Sequence, residues 1–298
     1  MIYSMVEMKA AIANGDKKAL ARCITMVEND LDGADAFLKS LSNRPSKPPI
    51  IGITGPPGAG KSSLLNVLVE TLTKENKCVG VLAVDPTSPF SFGSILGDRL
   101  RLSEQFNNDK VFIRSLATRG ALGGLSAKTI EITDVMRCFP FDYIFIETVG
   151  VGQNEVEIAG LADITVLVLV PESGDDIQTL KSGIMEIADL FVINKSDREG
   201  ADVLAYTLTG MANFNKEVFQ VSATHHTGIS ALIERLKKDH PSSSNEKLLL
   251  LCEKAYRLIQ SRQMKGINKK NLMEAIDKAY HDPLFNLYQF AAAYPMDH

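Results

Sequence analysis

IIGITGPPGAGKSSLLNVLVETL, residues 50–72, decides the fold. It opens with a short β-rich run and passes through Gly55, Pro56, Pro57, Gly58, Ala59, Gly60, Lys61 and Ser62. The run SSLLNVLVETL, starting at Ser62, has helical spacing. A GxxxxGK[ST] pattern between a strand and a helix is a phosphate cradle. Its glycines let backbone N–H groups turn inward around phosphate oxygens, and the helix N-terminus adds a favourable dipole. Lys61 is expected to neutralise β- and γ-phosphate charge, and Ser62 to offer its hydroxyl to Mg²⁺.

Outward from this stretch, further apolar runs alternate with helical segments. They are CVGVLAV (78–84), YIFIET (143–148), ITVLVLV (164–170), LFVIN (190–194) and VFQVS (218–222). Continuous apolar runs of this length read as strands covered on both faces, hence a mainly parallel sheet flanked by helices. Residues 1–45 read as an N-terminal helical extension, with Leu20, Ile24, Val27 and Leu31 at helical spacing. The stretch SNRPSKPP (42–49) reads as a linker. Residues 46–240 form the expected α/β domain. Residues 241–298 lose the strand signal and read as two or three amphipathic helices with a break at Asp282-Pro283.

Asn194-Lys195-Ser196-Asp197 follows the run LFVIN. Asn-Lys-x-Asp at a strand end reads guanine. The Asp197 carboxylate can accept from both N1–H and the 2-amino group, and adenine offers neither donor. The Lys195 stem can lie along the base plane. Ser222, Ala223 and Gly228 fit a loop that backs the base. The bound nucleotide is therefore expected to be GTP or GDP.

Three acidic residues are candidates for the Mg²⁺ side. Asp85 follows CVGVLAV, Asp98 lies in SILGDRLRL, and Glu147 ends YIFIET. Carboxylates at the C-terminal edge of parallel strands face the ligand crevice. Gly150 completes an E-T-V-G segment whose backbone N–H would sense the γ-phosphate. Val151 comes next, and a valine cannot orient water, so intrinsic hydrolysis is expected to be slow without a partner. The Gly-rich stretch 117–126 reads as a mobile loop or a second anion nest, and 171–183 as a loop leading into a helix.

The net charge of −4 excludes attachment to nucleic acid by bulk positive charge. The four cysteines, Cys23, Cys78, Cys138 and Cys252, make no CxxC pair. That pattern fits a reduced chain and argues against a local structural zinc site. No start-of-chain apolar core and no membrane-length apolar run is present, so a cytoplasmic protein is expected. The adjacent His225 and His226 read as solvated loop residues.

GPPGAGKSS, VDPTSPFSFGSILGDRLRL, FIRSLATRGALGGLS and the long segment from FDYIFIETVGVGQ to FVINKSD together closely resemble the MeaB/ArgK family of P-loop GTPases. The resemblance spans roughly residues 10–240. It implies a SIMIBI-class α/β P-loop fold with N- and C-terminal helical extensions, the latter a dimerisation arm of a homodimer. It places Asp85, Asp98 and Glu147 at magnesium and switch positions and Lys181 in a third switch segment. Lys61, Asp85, Glu147 and Lys181 are then the expected catalytic set. The activity it implies is GTP hydrolysis with Mg²⁺, chaperoning an adenosylcobalamin-dependent acyl-CoA mutase, above all methylmalonyl-CoA mutase. Two other readings compete. A nickel-insertion GTPase needs thiolate or imidazole ligands near the switches, and no CxCC or CPH element occurs. A kinase, as an older arginine-transport label has it, would have to use adenine, which leaves Asp197 unpaired.

Overall fold

The computed structural model describes residues 4–41, 48–85, 105–117, 127–148, 158–174, 184–210, 216–238, 244–264, 267, 269–282 and 285–294. Helices α1 (Met5–Ala13), α2 (Lys17–Glu28) and α3 (Ala34–Lys39) come first. Then β1 (Ile50–Thr54) leads into α4 (Lys61–Lys74), followed by β2 (Val79–Asp85) and β3 (Val111–Ala117). Next come α5 (Ala127–Met136), β4 (Tyr143–Thr148), β5 (Ile164–Leu169), α6 (Ile184–Ile187) and β6 (Leu190–Ile193). Then α7 (Ala201–Thr209), β7 (Glu217–Gln220) and α8 (Ile229–Lys237) complete the α/β part. The helices α9 (Ser244–Gln263), α10 (Lys269–Tyr280) and α11 (Leu287–Ala293) belong to a second compact unit, Ser244–His298, and the elements before them to a first, Met1–Ser243.

Among the described residues seven strands run in the order β3-β2-β4-β1-β5-β6-β7, and every pairing among them is parallel. All residues of β1, β4, β5 and β6 are buried, as a sheet covered on both faces requires. On one face Ile51, Ile53, Phe145 and Val168 pack with Leu64 and Leu68 of α4 and Leu232 of α8. On the other, Leu167, Leu169, Phe191 and Ile193 pack with Leu204 and Leu208 of α7. Each such side chain contributes about 1.5–3 kcal/mol by leaving water. The chain leaves β1 toward β2 on one side and returns to β5 on the other. This reversal opens the crevice where α/β folds bind ligands.

The structure adds one strand that the apolar runs do not reveal. β3 carries Arg114 and Ser115 in its middle, and both are only half-buried. It is an edge strand, paired only with β2, and Arg114 finds its partners in α2, so the apolar run is interrupted. Arg114 forms an ion pair with Glu28 of α2 and donates to Thr25 Oγ1 at 3.3 Å, tying the N-terminal helices to this edge.

The helical stripe of the N-terminal region is shorter than its spacing suggests. Leu20, Ile24 and Val27 are fully buried, but Leu31 is 53% exposed. α2 stops at Glu28, Asn29 caps it, and Asp30 takes a φ of 50°, which turns the chain before Leu31. The start of α2 is fixed by Asp16, whose Oδ1 accepts from the N–H groups of Lys18 and Ala19. Most of the linker 42–49 and the dipeptide Pro283-Leu284 lie outside the described residues.

Among the described residues, no helix is long and apolar enough to cross a membrane. All four cysteines are free thiols.

Candidate functional site

β1 ends at Thr54 between β4 and β5, and the loop Gly55–Gly60 turns directly into α4. Two glycines make that turn possible. Gly55 has a φ of +139°, and a Cβ there would stand 2.1 Å from the Val168 carbonyl oxygen of β5. Gly60 has a φ of +80°, and its Cβ would stand 2.4 Å from Asn194 Nδ2. Neither place has room for a side chain. α4 then begins at Lys61, so its first-turn N–H groups lie where the loop ends.

Lys61 is 7% exposed, and its Nζ donates to the carbonyl oxygens of Gly55 at 2.7 Å and Pro56 at 2.9 Å. The ammonium is thus held over the loop itself. Ser62 is 6% exposed, and its hydroxyl donates to Glu147 Oε1 at 2.5 Å, in the range of a charge-assisted bond. Glu147 is 7% exposed and comes from β4, where it stands in register with Ile53 of β1 and Ala83 of β2. The two side chains thus bring a hydroxyl and a carboxylate together at the base of α4. These hard oxygens are the type that Mg²⁺ takes. β2 ends at Asp85, on the same C-terminal edge of the sheet. Asp98, Gly150 and Lys181 lie outside the described residues.

The loop after β6 closes over the phosphate loop. Asn194 is 2% exposed, and its Nδ2 donates to Ala59 O at 2.9 Å and Gly60 O at 3.3 Å. Its Oδ1 accepts from the Ala223 N–H at 3.2 Å. One amide therefore joins three loops. Lys195 takes a φ of 57°, and its Nζ donates to Gly58 O at 2.8 Å. Its stem thus spans from the post-β6 loop to the tip of the phosphate loop. Pro57, Gly58 and Ser63 are exposed, and Ala59 is buried.

Ser222 and Ala223 follow β7 and are buried. Ser222 donates from Oγ to Asp197 Oδ1 at 2.5 Å. That bond, foremost, holds the Asp197 carboxyl below the usual carboxylate range, with the nearby His225 adding to it. Asp197 therefore stands as an ionised acceptor fixed on one oxygen. Gly228 caps the start of α8 just beyond.

The structure brings together Lys61, Ser62 and Glu147 on one side and Asn194, Lys195, Asp197, Ser222 and Ala223 on the other. The motifs do not announce the bracing role of Asn194 or the participation of His225. Asn194 is visible in the sequence as a motif residue, but its tie to Ala59 depends on strand order.

A nucleotide cradle at the end of β1, set in a seven-stranded parallel sheet with an Asn-Lys-x-Asp loop beside it, defines a P-loop GTPase. Residues 20–279 match the family described as the methylmalonyl Co-A mutase-associated GTPase MeaB. The chain belongs to that family. A protein of Pyrococcus horikoshii named as a GTPase is 46% identical over 242 residues, covering 78% of this chain and 76% of its own. The Escherichia coli GTPase ArgK is 37% identical over 65% of this chain and 60% of its own. The mouse mitochondrial methylmalonic aciduria type A homolog is 39% identical over 62% of this chain and 48% of its own. The crystal structure of an LAO/AO transport system kinase shares the fold, with a TM-score of 0.63 and 24% identity, over 98% of this chain and 93% of that one.

Proposed function

We propose that this GTPase binds GTP with Mg²⁺ and uses its hydrolysis to chaperone an adenosylcobalamin-dependent acyl-CoA mutase, with methylmalonyl-CoA mutase as the client. The observation that carries the nucleotide half is the Asn194 side chain. It holds the phosphate loop and the Ser222-Ala223 loop in one rigid cradle. The client half rests on the family and on the likeness to the methylmalonic aciduria type A homolog.

In this reading Gly55–Ser63 wraps the phosphates with backbone N–H groups. Lys61 leaves its carbonyl partners for the β- and γ-phosphate oxygens, where its charge offsets that of the departing phosphate. Asp197 accepts from guanine, Lys195 lies along the base, and Ser222 and Ala223 back it. Mg²⁺, when bound, would supply divalent charge to offset the charge that develops on the phosphates. Ser62, Asp85, Asp98 and Glu147 are the residues that would hold it, directly or through water, and the Ser62–Glu147 pair has the right chemistry. Gly150 and Lys181 sit in the segments that would report the γ-phosphate to the client.

The C-terminal helices would pair two copies of the chain. They carry exposed apolar side chains such as Leu248, Tyr256, Met273 and Tyr288 and, among the described residues of α11, bury none. The protein would act in the cytoplasm with its client.

GTP turnover by the pure chain, with and without methylmalonyl-CoA mutase and with ATP as control, tests this reading. A slow GTP-only rate that rises with the mutase is expected. A rate indifferent to the mutase would remove the client, and equal use of ATP would remove the guanine assignment.

A further inference from the structure

We propose that His225 is a positioning residue of the guanine pocket, whose Nδ1–H fixes Ser222 and Asp197 in the orientation that reads both guanine donors. The inference rests on the guanine role of Asp197 proposed above.

The argument follows one proton. Ser222 Oγ has a single hydrogen, and it stands 2.5 Å from Asp197 Oδ1. At that distance to a carboxylate held ionised, the hydrogen lies on the line to Asp197. His225 Nδ1 is 3.0 Å from the same Ser222 oxygen. With its proton already given away, that oxygen must accept there. His225 Nδ1 therefore carries hydrogen and donates. The same nitrogen lies 3.6 Å from Asp197 Oδ1, so its N–H dipole also favours the charged carboxylate. Thr224 Oγ1 stands 3.3 Å from both Ser222 Oγ and His225 Nδ1 and closes the cluster. The chain of donors runs from His225 to Ser222 to Asp197, and each bond polarises the next.

The turn that presents His225 is itself fixed. Ser222 and Thr227 exchange backbone hydrogen bonds at 3.1 and 3.2 Å across residues 223–226. His226 takes a φ of 55° within that turn. Both histidines are exposed loop residues, as expected, and His225 has a polar contact besides. It is 64% exposed, yet its Nδ1 lies in the cluster.

Guanine presents two donors, and both must meet the carboxylate at once. Hypoxanthine presents N1–H alone, which a swinging carboxylate can follow. Fixing Asp197 thus favours guanine over hypoxanthine.

The test is the dissociation constants of GDP, IDP and XDP for the parent chain and for His225→Ala, His225→Asn, His225→Gln and Asp197→Asn. His225→Ala should narrow the GDP-to-IDP preference about three- to tenfold, the worth of one hydrogen bond. The Asn amide nitrogen overlays Nδ1 and should restore the preference. The Gln amide reaches one bond further and should not. Equal weakening of GDP and IDP, an unchanged ratio in His225→Ala, or identical behaviour of the Asn and Gln variants would overturn the proposal. Asp197→Asn separates the two readings. If it turns preference toward XDP while His225→Ala matches the parent, only the His225 role fails. If it keeps its GDP preference, the guanine reading itself fails.

Discussion

Asn194 Nδ2 donates to the carbonyl oxygen of Ala59 at 2.9 Å, across 135 residues of sequence. The same side chain receives the Ala223 N–H through its oxygen. A residue known for its place in a base-reading motif thus also holds the phosphate loop in shape. The phosphate loop and the loop after β7 are thus tied together through one buried amide.

Asn194→Ala should therefore damage more than base reading. It leaves the Ala59 carbonyl and the Ala223 N–H without this partner in a buried place. The cost is about 1–3 kcal/mol of stability. Thermal melting should show it, and a titration with fluorescent GDP should show affinity lost together with it. A variant that melts like the parent would disprove the bracing role.

Gly55→Ala should abolish nucleotide binding. The added Cβ would meet the Val168 carbonyl oxygen at 2.1 Å, and backbone cannot yield as a flexible side chain does. The unfavourable φ of +139° adds about 1–3 kcal/mol of strain. Circular dichroism melts with a GDP titration would report both losses.

Lys61→Ala should cut GTP turnover by about 10²–10³-fold, as removal of a preset charge from a phosphoryl-transfer site does. Single-turnover hydrolysis measures this without interference from product release. An active variant would take the phosphate loop out of the mechanism.

The Asp197–Ser222 bond has a definite pH signature. Its folded carboxyl is lowered from 3.8, so what the bond contributes is full above the unfolded value and is lost as pH falls through the lowered one. Asp197 accordingly stays ionised from pH 5 to 8 and contributes no titration to GDP binding there. Ser222→Ala removes the leading cause and should raise the Asp197 carboxyl toward 3.8. A ¹³C-carboxyl NMR titration of the two proteins checks the direction.

Thiol reactivity should follow burial. Cys23 is fully buried, and burial foremost pushes its thiol up to about 12, with Cys138 adding to the shift. Burial raises Cys78 and Cys138 as well. Only the thiolate alkylates, so iodoacetamide at pH 8 should label the exposed Cys252 first and Cys23 last. Peptide mass spectrometry after timed quenching gives the order, and early labelling of Cys23 would contradict the packing of α2.

Much of this protein is legible in its sequence because the relevant chemistry is contiguous. The phosphate loop needs a strand, a turn with glycines and a helix start, and residues 50–72 contain all three in order. Strands covered on both faces must be apolar throughout, so β1, β2, β4, β5 and β6 announce themselves. Asn194–Asp197 holds the expected base-reading residues within four positions. β3 escapes this reading because Arg114 interrupts its apolar run, and the partners that accommodate Arg114, Glu28 and Thr25, lie far away in the chain. The end of α2 escapes it because spacing cannot show that Asp30 takes a positive φ.

The sequence by itself determined the parallel α/β fold, the P-loop and the side chains available to a nucleotide, since local pattern and covalent order suffice for these. Only the tertiary structure decided which of them touch. The order β4-β1-β5-β6 brings the loops after β1 and β6 to one edge, and there Asn194 meets Ala59 and Ser62 meets Glu147. Hydrogen bonds act over about 3 Å, whereas these partners lie 135 and 85 residues apart in the chain, so their meeting is set by strand order and not by spacing.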